Sequence, residues 1–260
     1  MRTGVGIRRT NEKVDDCDSC DRRSPVVDEA VSDLKRCRTR SGVVPEGQTW
    51  LVLDLVLPLQ CGGCGAPSTR WCETCAAALL VHVDEPHLVS PRVDPGVPVF
   101  ALGRYAGPRR EAVVAYKERG RRDLVAPLAR PLAQGIHRLA VWGIVGLPLT
   151  VVPAPTRRSA ARRRGGDPVA RIAAAATAAH PGITVVQALR TVGRARDSVG
   201  LGTTARERNI AGRVRLLARP AGEVLLVDDV VTTGATAREA VRTLLAEGVE
   251  VTAVLALACA

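Results

Sequence analysis

Val224-Leu225-Leu226-Val227-Asp228-Asp229-Val230-Val231-Thr232-Thr233-Gly234-Ala235-Thr236 decides how this chain is read. The apolar run Glu223–Val227 predicts a buried strand. Two adjacent carboxylates end it, a loop of hydroxyls surrounds one glycine, and a helix is predicted over Thr236–Glu247. Ligands of open α/β sheets bind beyond the carboxyl ends of the strands. A loop that opens a helix turns unpaired N–H groups and the positive end of the helix dipole toward a phosphate. Gly234 lets the backbone approach closely, Thr232, Thr233 and Thr236 add hydroxyl donors, and Ala235 completes the loop. Asp228 and Asp229 can accept hydrogen bonds from two vicinal hydroxyls, as on a ribose, or help hold Mg²⁺ through water. Consecutive aspartates at a strand end are no core feature unless partnered. The G-x-x-x-x-G-K pattern of a Walker loop is absent.

Working outward, the pattern predicts strands over Val97–Ala106, Thr150–Val152, Ile183–Ala188 and Val249–Ala258. Helices are predicted over Arg109–Glu118, Asp123–Leu139 and Pro168–Ala179. Strands alternating with helices imply an α/β fold with a parallel sheet flanked by helices. Residues 97–260 form this domain. The proline-punctuated stretch Pro86–Pro98 reads as a linker, and residues 48–85 as a small module. Residues 1–47 mix charges of both signs without a sustained period. They read as a poorly ordered tail, or as sequence upstream of a start near residue 48.

The small module is built around Cys61-x2-Cys64-x7-Cys72-x2-Cys75. Each C-x-x-C turn aims two thiolates at one point, and four thiolates make the closed tetrahedral shell of a structural Zn²⁺ site. Such a shell has no open position for a reacting water. Gly62, Gly63 and Gly65 permit the tight turns. Cys17-x-x-Cys20 has no second pair close by and is read as a chance pairing.

The chain has 260 residues, 46% of them hydrophobic, and a net charge of +11. Residues 104–222 hold 23 basic and six acidic side chains, a local +17. Such a field draws in polyanions, either a polyphosphorylated small molecule or nucleic acid; a solvated arginine surface is the plainer alternative. With six aromatic residues in the whole chain, stacking on single strands has few platforms, so any DNA binding should be mostly electrostatic. No apolar run approaches the ~20 residues that span a bilayer. Met1–Asp16 is polar, with no apolar stretch of a signal peptide. A cytoplasmic location is expected. Lys117 stands out because the sequence uses 34 arginines and only three lysines; one lysine beside Tyr116 suggests a place for a compact ammonium rather than a planar fork.

The 224–236 stretch resembles the signature of the type I phosphoribosyltransferases. Together with the four-cysteine module it resembles the ComF family, bacterial proteins tied to DNA uptake in natural competence, over roughly residues 48–260. Leu51–Pro58, Tyr116-Lys117, Val151–Pro155, Arg162–Gly165, Gly200-Leu201 and Arg206–Gly212 are similar to family segments in the same order. The chain departs from the family pattern at Gly166-Asp167-Pro168 and at Ser198. The resemblance implies a phosphoribosyltransferase-like enzyme that binds phosphoribosyl diphosphate with Mg²⁺. Asp228 and Asp229 would read the ribose 2′- and 3′-hydroxyls, and Thr232–Thr236 would take the 5′-phosphate. By order along the chain, Pro153–Arg158 would meet the diphosphate, which makes Arg157 and Arg158 candidates for its charge; Lys117, Arg164 and Arg206 are further basic candidates. Competence proteins and single-stranded DNA are the implied partners. A non-catalytic DNA-binding accessory that keeps the fold as scaffold or sensor is the alternative.

Overall fold

The computed structural model describes residues 59–156, 166–192 and 212–260. Arg157, Arg158, Arg164 and Arg206, along with the 1–47 tail, lie outside the described residues.

The domain is α/β with a mostly parallel six-stranded sheet. Its strands are β1 (His87–Val89), β2 (Val99–Ala101), β3 (Leu149–Pro153), β4 (Ile183–Val185), β7 (Glu223–Val231) and β8 (Val251–Cys259). Their order across the sheet is β1-β2-β8-β7-β3-β4. Every pairing is parallel except that of β1 with β2. A separate antiparallel ribbon joins β5 (Leu189–Thr191) to β6 (Val214–Leu216).

Period-2 alternation divides the sheet's side chains between two cores. Leu149, Val151, Leu225, Val227, Leu255 and Leu257 face one core. Helices α3 (Val125–Val141) and α4 (Pro168–Thr177) pack there, as does α2 (Gly107–Glu118). The stripe Leu128, Leu132, Ile136 and Leu139 gives α3 its buried face. Gly135 keeps this helix close to the sheet, because a Cβ there would come within 2.6 Å of Leu102 Cδ2. Val152, Val224, Leu226, Val254 and Ala256 face the second core, which α5 (Ala235–Ala246) and the β5–β6 ribbon cover. Central strands buried on both faces explain why β7 and β8 are near-continuous apolar runs.

Three departures from the sequence reading bear on the site. The stretch read as a linker carries β1, which pairs with β2 as His87↔Ala101, Leu88↔Phe100 and Val89↔Val99. It also sends the Val93 N–H to the Thr233 carbonyl at 2.8 Å. Strand β7 does not stop at Val227. Pairing to β8 continues through Asp228↔Ala256, Val230↔Ala258 and Val231↔Cys259, so both aspartates are strand residues. Nor is the cysteine module set apart from the body. Leu79 is buried in the first core, and Trp71 packs on it. Gly62 has no side chain where Leu124 packs: a Cβ there would lie 2.6 Å from Leu124 Cδ1 and Cδ2. Arg121 closes the joint, donating to the carbonyls of Gln60 (2.9 Å) and Arg70 (3.2 Å) while paired with Asp123 at 2.7 Å. That pairing holds the Asp123 carboxyl below its ordinary range. Among the described residues, no helix is long and apolar enough to cross a membrane.

Candidate functional site

The site lies where the sheet's connectivity reverses. From β3 the chain crosses to β4 on one side, and β7, the next strand of this sheet, pairs with β3 on the other. The carboxyl ends of β3 and β7 at such a reversal are the usual ligand position in open α/β sheets. β7 delivers Asp228 and Asp229 there, and β3 delivers Pro153-Ala154-Pro155. Ala154 N–H donates to the Val227 carbonyl at 2.7 Å, which ties the two strand ends together.

Asp229 is buried and Asp228 half-buried. The Asp229 N–H donates to Asp228 Oδ1 at 2.8 Å, and the Val230 N–H donates to Asp229 Oδ1 at 2.7 Å. Asp229 Oδ2 forms an ion pair with Lys117 Nζ at 2.5 Å. The ammonium comes from the last turn of α2. Burial first, and the charge of Asp229 second, push the Asp228 carboxyl well above the ordinary carboxylate range, with Lys117 pulling the other way.

The loop after β7 turns through Gly234, the N-cap of α5, at φ +83 and ψ −4. That is the left-handed region glycine enters without strain. Space is equally restrictive, since a Cβ there would collide with the Val93 carbonyl oxygen and lie 2.8 Å from Pro91 Cβ. Thr233 is buried and its Oγ1 accepts from the Ala235 N–H at 3.3 Å, while Thr232 is exposed and Thr236 half-buried. The structure thus brings together Lys117, Asp228, Asp229 and the loop 232–236 at one end of the sheet.

A cleft of about 350 Å³ adjoins this cluster. Lys117, Glu118 and Arg122 line it from α2 and the turn that follows, and Gly166, Pro168 and Arg171 line it from the start of α4. Tyr116 spans the two walls, its hydroxyl donating to the Pro168 carbonyl at 3.0 Å. Lys117 stands out in the sequence by its rarity; Arg122 and Arg171 do not, since as residues they do not differ from the many other arginines.

In the small module the sulfurs of Cys61, Cys64, Cys72 and Cys75 all lie within 4.8 Å of one another. Zinc thiolate bonds of about 2.3 Å imply a tetrahedron with edges of about 3.8 Å. The observed Cys64 Sγ to Cys72 Sγ separation is 3.6 Å, so the donor set fits and the group could hold a metal ion such as zinc. The crowded thiols perturb one another. Cys61 is lowered to about 4, chiefly by its hydrogen bond with Cys75. Cys64 is pushed up to about 12, chiefly by burial. Cys75 is raised, chiefly by the same bond with Cys61. Gly63 leaves room for the Cys75 sulfur, since a Cβ there would come within 2.6 Å of it.

Compared with known proteins, the chain matches no protein-family model and no curated protein.

Proposed function

We propose that this protein is a phosphoribosyltransferase-like enzyme of the ComF type that binds Mg²⁺–phosphoribosyl diphosphate at the β7–α5 loop. The observation that carries the reading is the Asp228-Asp229 pair at the sheet's switch point, followed at once by the glycine-turned loop at the start of α5. In this reading the two carboxylates accept hydrogen bonds from the ribose diol. Thr232–Thr236 offer hydroxyls and backbone N–H groups to the 5′-phosphate. Lys117, already against Asp229, holds a compact positive charge beside the ribose. A nitrogen nucleophile attacks the ribose C1, the C1–O bond breaks, and diphosphate departs with the bonding electron pair. Mg²⁺ carried with the donor would neutralise charge on the leaving group. The protein's share is positioning and preorganised electrostatics. The four-cysteine module serves as a zinc-bound brace. Incubating protein with Mg²⁺–phosphoribosyl diphosphate and a panel of nitrogen acceptors should release diphosphate with at least one acceptor. Tight donor binding without release from any acceptor would reduce the protein to a ligand-binding regulator.

A further inference from the structure

We propose that the basic cleft beside Lys117 is the acceptor subsite, and that it takes a small molecule bearing an oxyanion group, either phosphate or carboxylate. The inference rests on the phosphoribosyl reading above, and it names the substrate class which that reading leaves open.

The cleft's lining, its build and its position carry it. Among the described residues that line the cleft, Lys117, Arg122 and Arg171 are basic and Glu118 is acidic. Asp167 is not part of the cleft lining; its Oδ1 caps α4, accepting from the N–H groups of Val169 (2.9 Å) and Ala170 (3.0 Å). Arg122 makes no ion pair among the described residues. Exposed Arg122 and half-buried Arg171 can offer planar oxyanions paired N–H donors.

The cleft is also shaped for the guanidinium of Arg171. Gly166 has φ +132, and a Cβ added there would come within 2.8 Å of Arg171 Nη2. A side chain at 166 would displace the group that lines the cleft. The Tyr116–Pro168 hydrogen bond keeps the two walls at a fixed spacing.

Position and size then select the ligand. Lys117 both lines the cleft and pairs with Asp229, so the cleft opens directly beside the proposed ribose site. None of residues 228–236 contributes to its walls; of the described groups assigned to the donor, Lys117 alone lines it, at the boundary between the two subsites. At about 350 Å³ it lies at the small-ligand end of binding pockets. A nucleic-acid strand would need a groove that follows its backbone for several nucleotides.

The test uses inorganic phosphate as the probe, titrated calorimetrically into full-length protein saturated with Mg²⁺–phosphoribosyl diphosphate. Phosphate should bind the donor-loaded wild type. Arg122→Gln with Arg171→Gln should weaken it about tenfold or more, the loss expected for two charge-assisted contacts that solvent partly screens, while donor affinity changes less than about twofold. Gly166→Ala, which keeps every charge, should weaken phosphate too. If the double variant fails to fold, Arg122→Gln alone, which breaks no ion pair among the described residues, gives the same reading. Donor affinity falling in step with phosphate would place the donor's own diphosphate in the cleft and overturn the proposal. So would absence of phosphate binding to the donor-loaded wild type, or its displacement by a thymidine oligonucleotide. Failure of the wild type to bind donor at all is a separate result, which removes the phosphoribosyl reading itself.

Discussion

Replacing Gly234 by alanine perturbs the site at its tightest point, and Gly96 supplies an internal control. Both glycines have nearly the same backbone angle, φ +83 at Gly234 and +82 at Gly96. An alanine in this region costs about 1–2 kcal/mol at either position. The surroundings differ. A Cβ at Gly96 meets nothing within 4 Å, whereas one at Gly234 meets the Val93 carbonyl and Pro91. Relief requires residues 91–93 to retreat, which breaks the Val93 N–H to Thr233 carbonyl bond and forfeits a further ~0.5–1.5 kcal/mol. Repacking of the displaced segment adds to that. Gly234→Ala should therefore lose about 2–4 kcal/mol, against about 1–2 for Gly96→Ala. At roughly 2–4 °C per kcal/mol for a chain of this size, thermal unfolding should fall by about 4–16 °C in the first and about 2–8 °C in the second, with the first drop about twice the second. Donor binding should be lost only in Gly234→Ala, where the loop itself moves. Equal melting shifts in the two variants would refute the idea that the β1–β2 connection presses on this loop.

Other outcomes follow from the same geometry. Elemental analysis should find one zinc per chain, and Cys61→Ser should lose it. Because Leu79 and Trp71 belong to the main core, that variant should also melt earlier, as should chelator-treated wild type. Glu239, buried on α5, accepts from Arg242 at 2.6 Å and from the Gly212 N–H at 2.7 Å, and first the arginine, then the N–H group, hold its carboxyl below the ordinary range. A depressed folded-state value stabilises above the unfolded value and loses that effect as pH falls through the folded one. Glu239→Gln should thus melt earlier than wild type at pH 7, with the gap closing below about pH 4. A gap that is constant with pH would show that the carboxylate's charge plays no part.

Much of the sheet was legible because its central strands are buried on both faces and so carry apolar runs with clear ends. The Asp228-Asp229 pair was legible for the opposite reason, as two charges set where a strand should be apolar. Lys117 could be singled out only by composition; its partner, Asp229, lies 112 positions along the chain and no periodicity links them. β1 was hidden among prolines, since a three-residue edge strand needs no period of its own and takes its register from β2. The β5 and β6 segments are equally short, and each acquires strand geometry from the other. The bracing of the cysteine module was illegible because it depends on an absent side chain at Gly62 and on backbone carbonyls that Arg121 reaches. Neither leaves a mark in residue type.

The central claim is that Asp228 and Asp229 read a ribose diol, and calorimetric titration of Mg²⁺–phosphoribosyl diphosphate into wild type and the Asp228→Asn, Asp229→Asn double variant tests it most directly. Asparagine keeps the shape of each side chain and removes its charge. The account predicts saturable binding to the wild type and loss of about a hundredfold or more in the variant, the scale of two charge-assisted hydrogen bonds, with the double variant's folding confirmed by its circular dichroism spectrum. Equal affinity in the two proteins would contradict it.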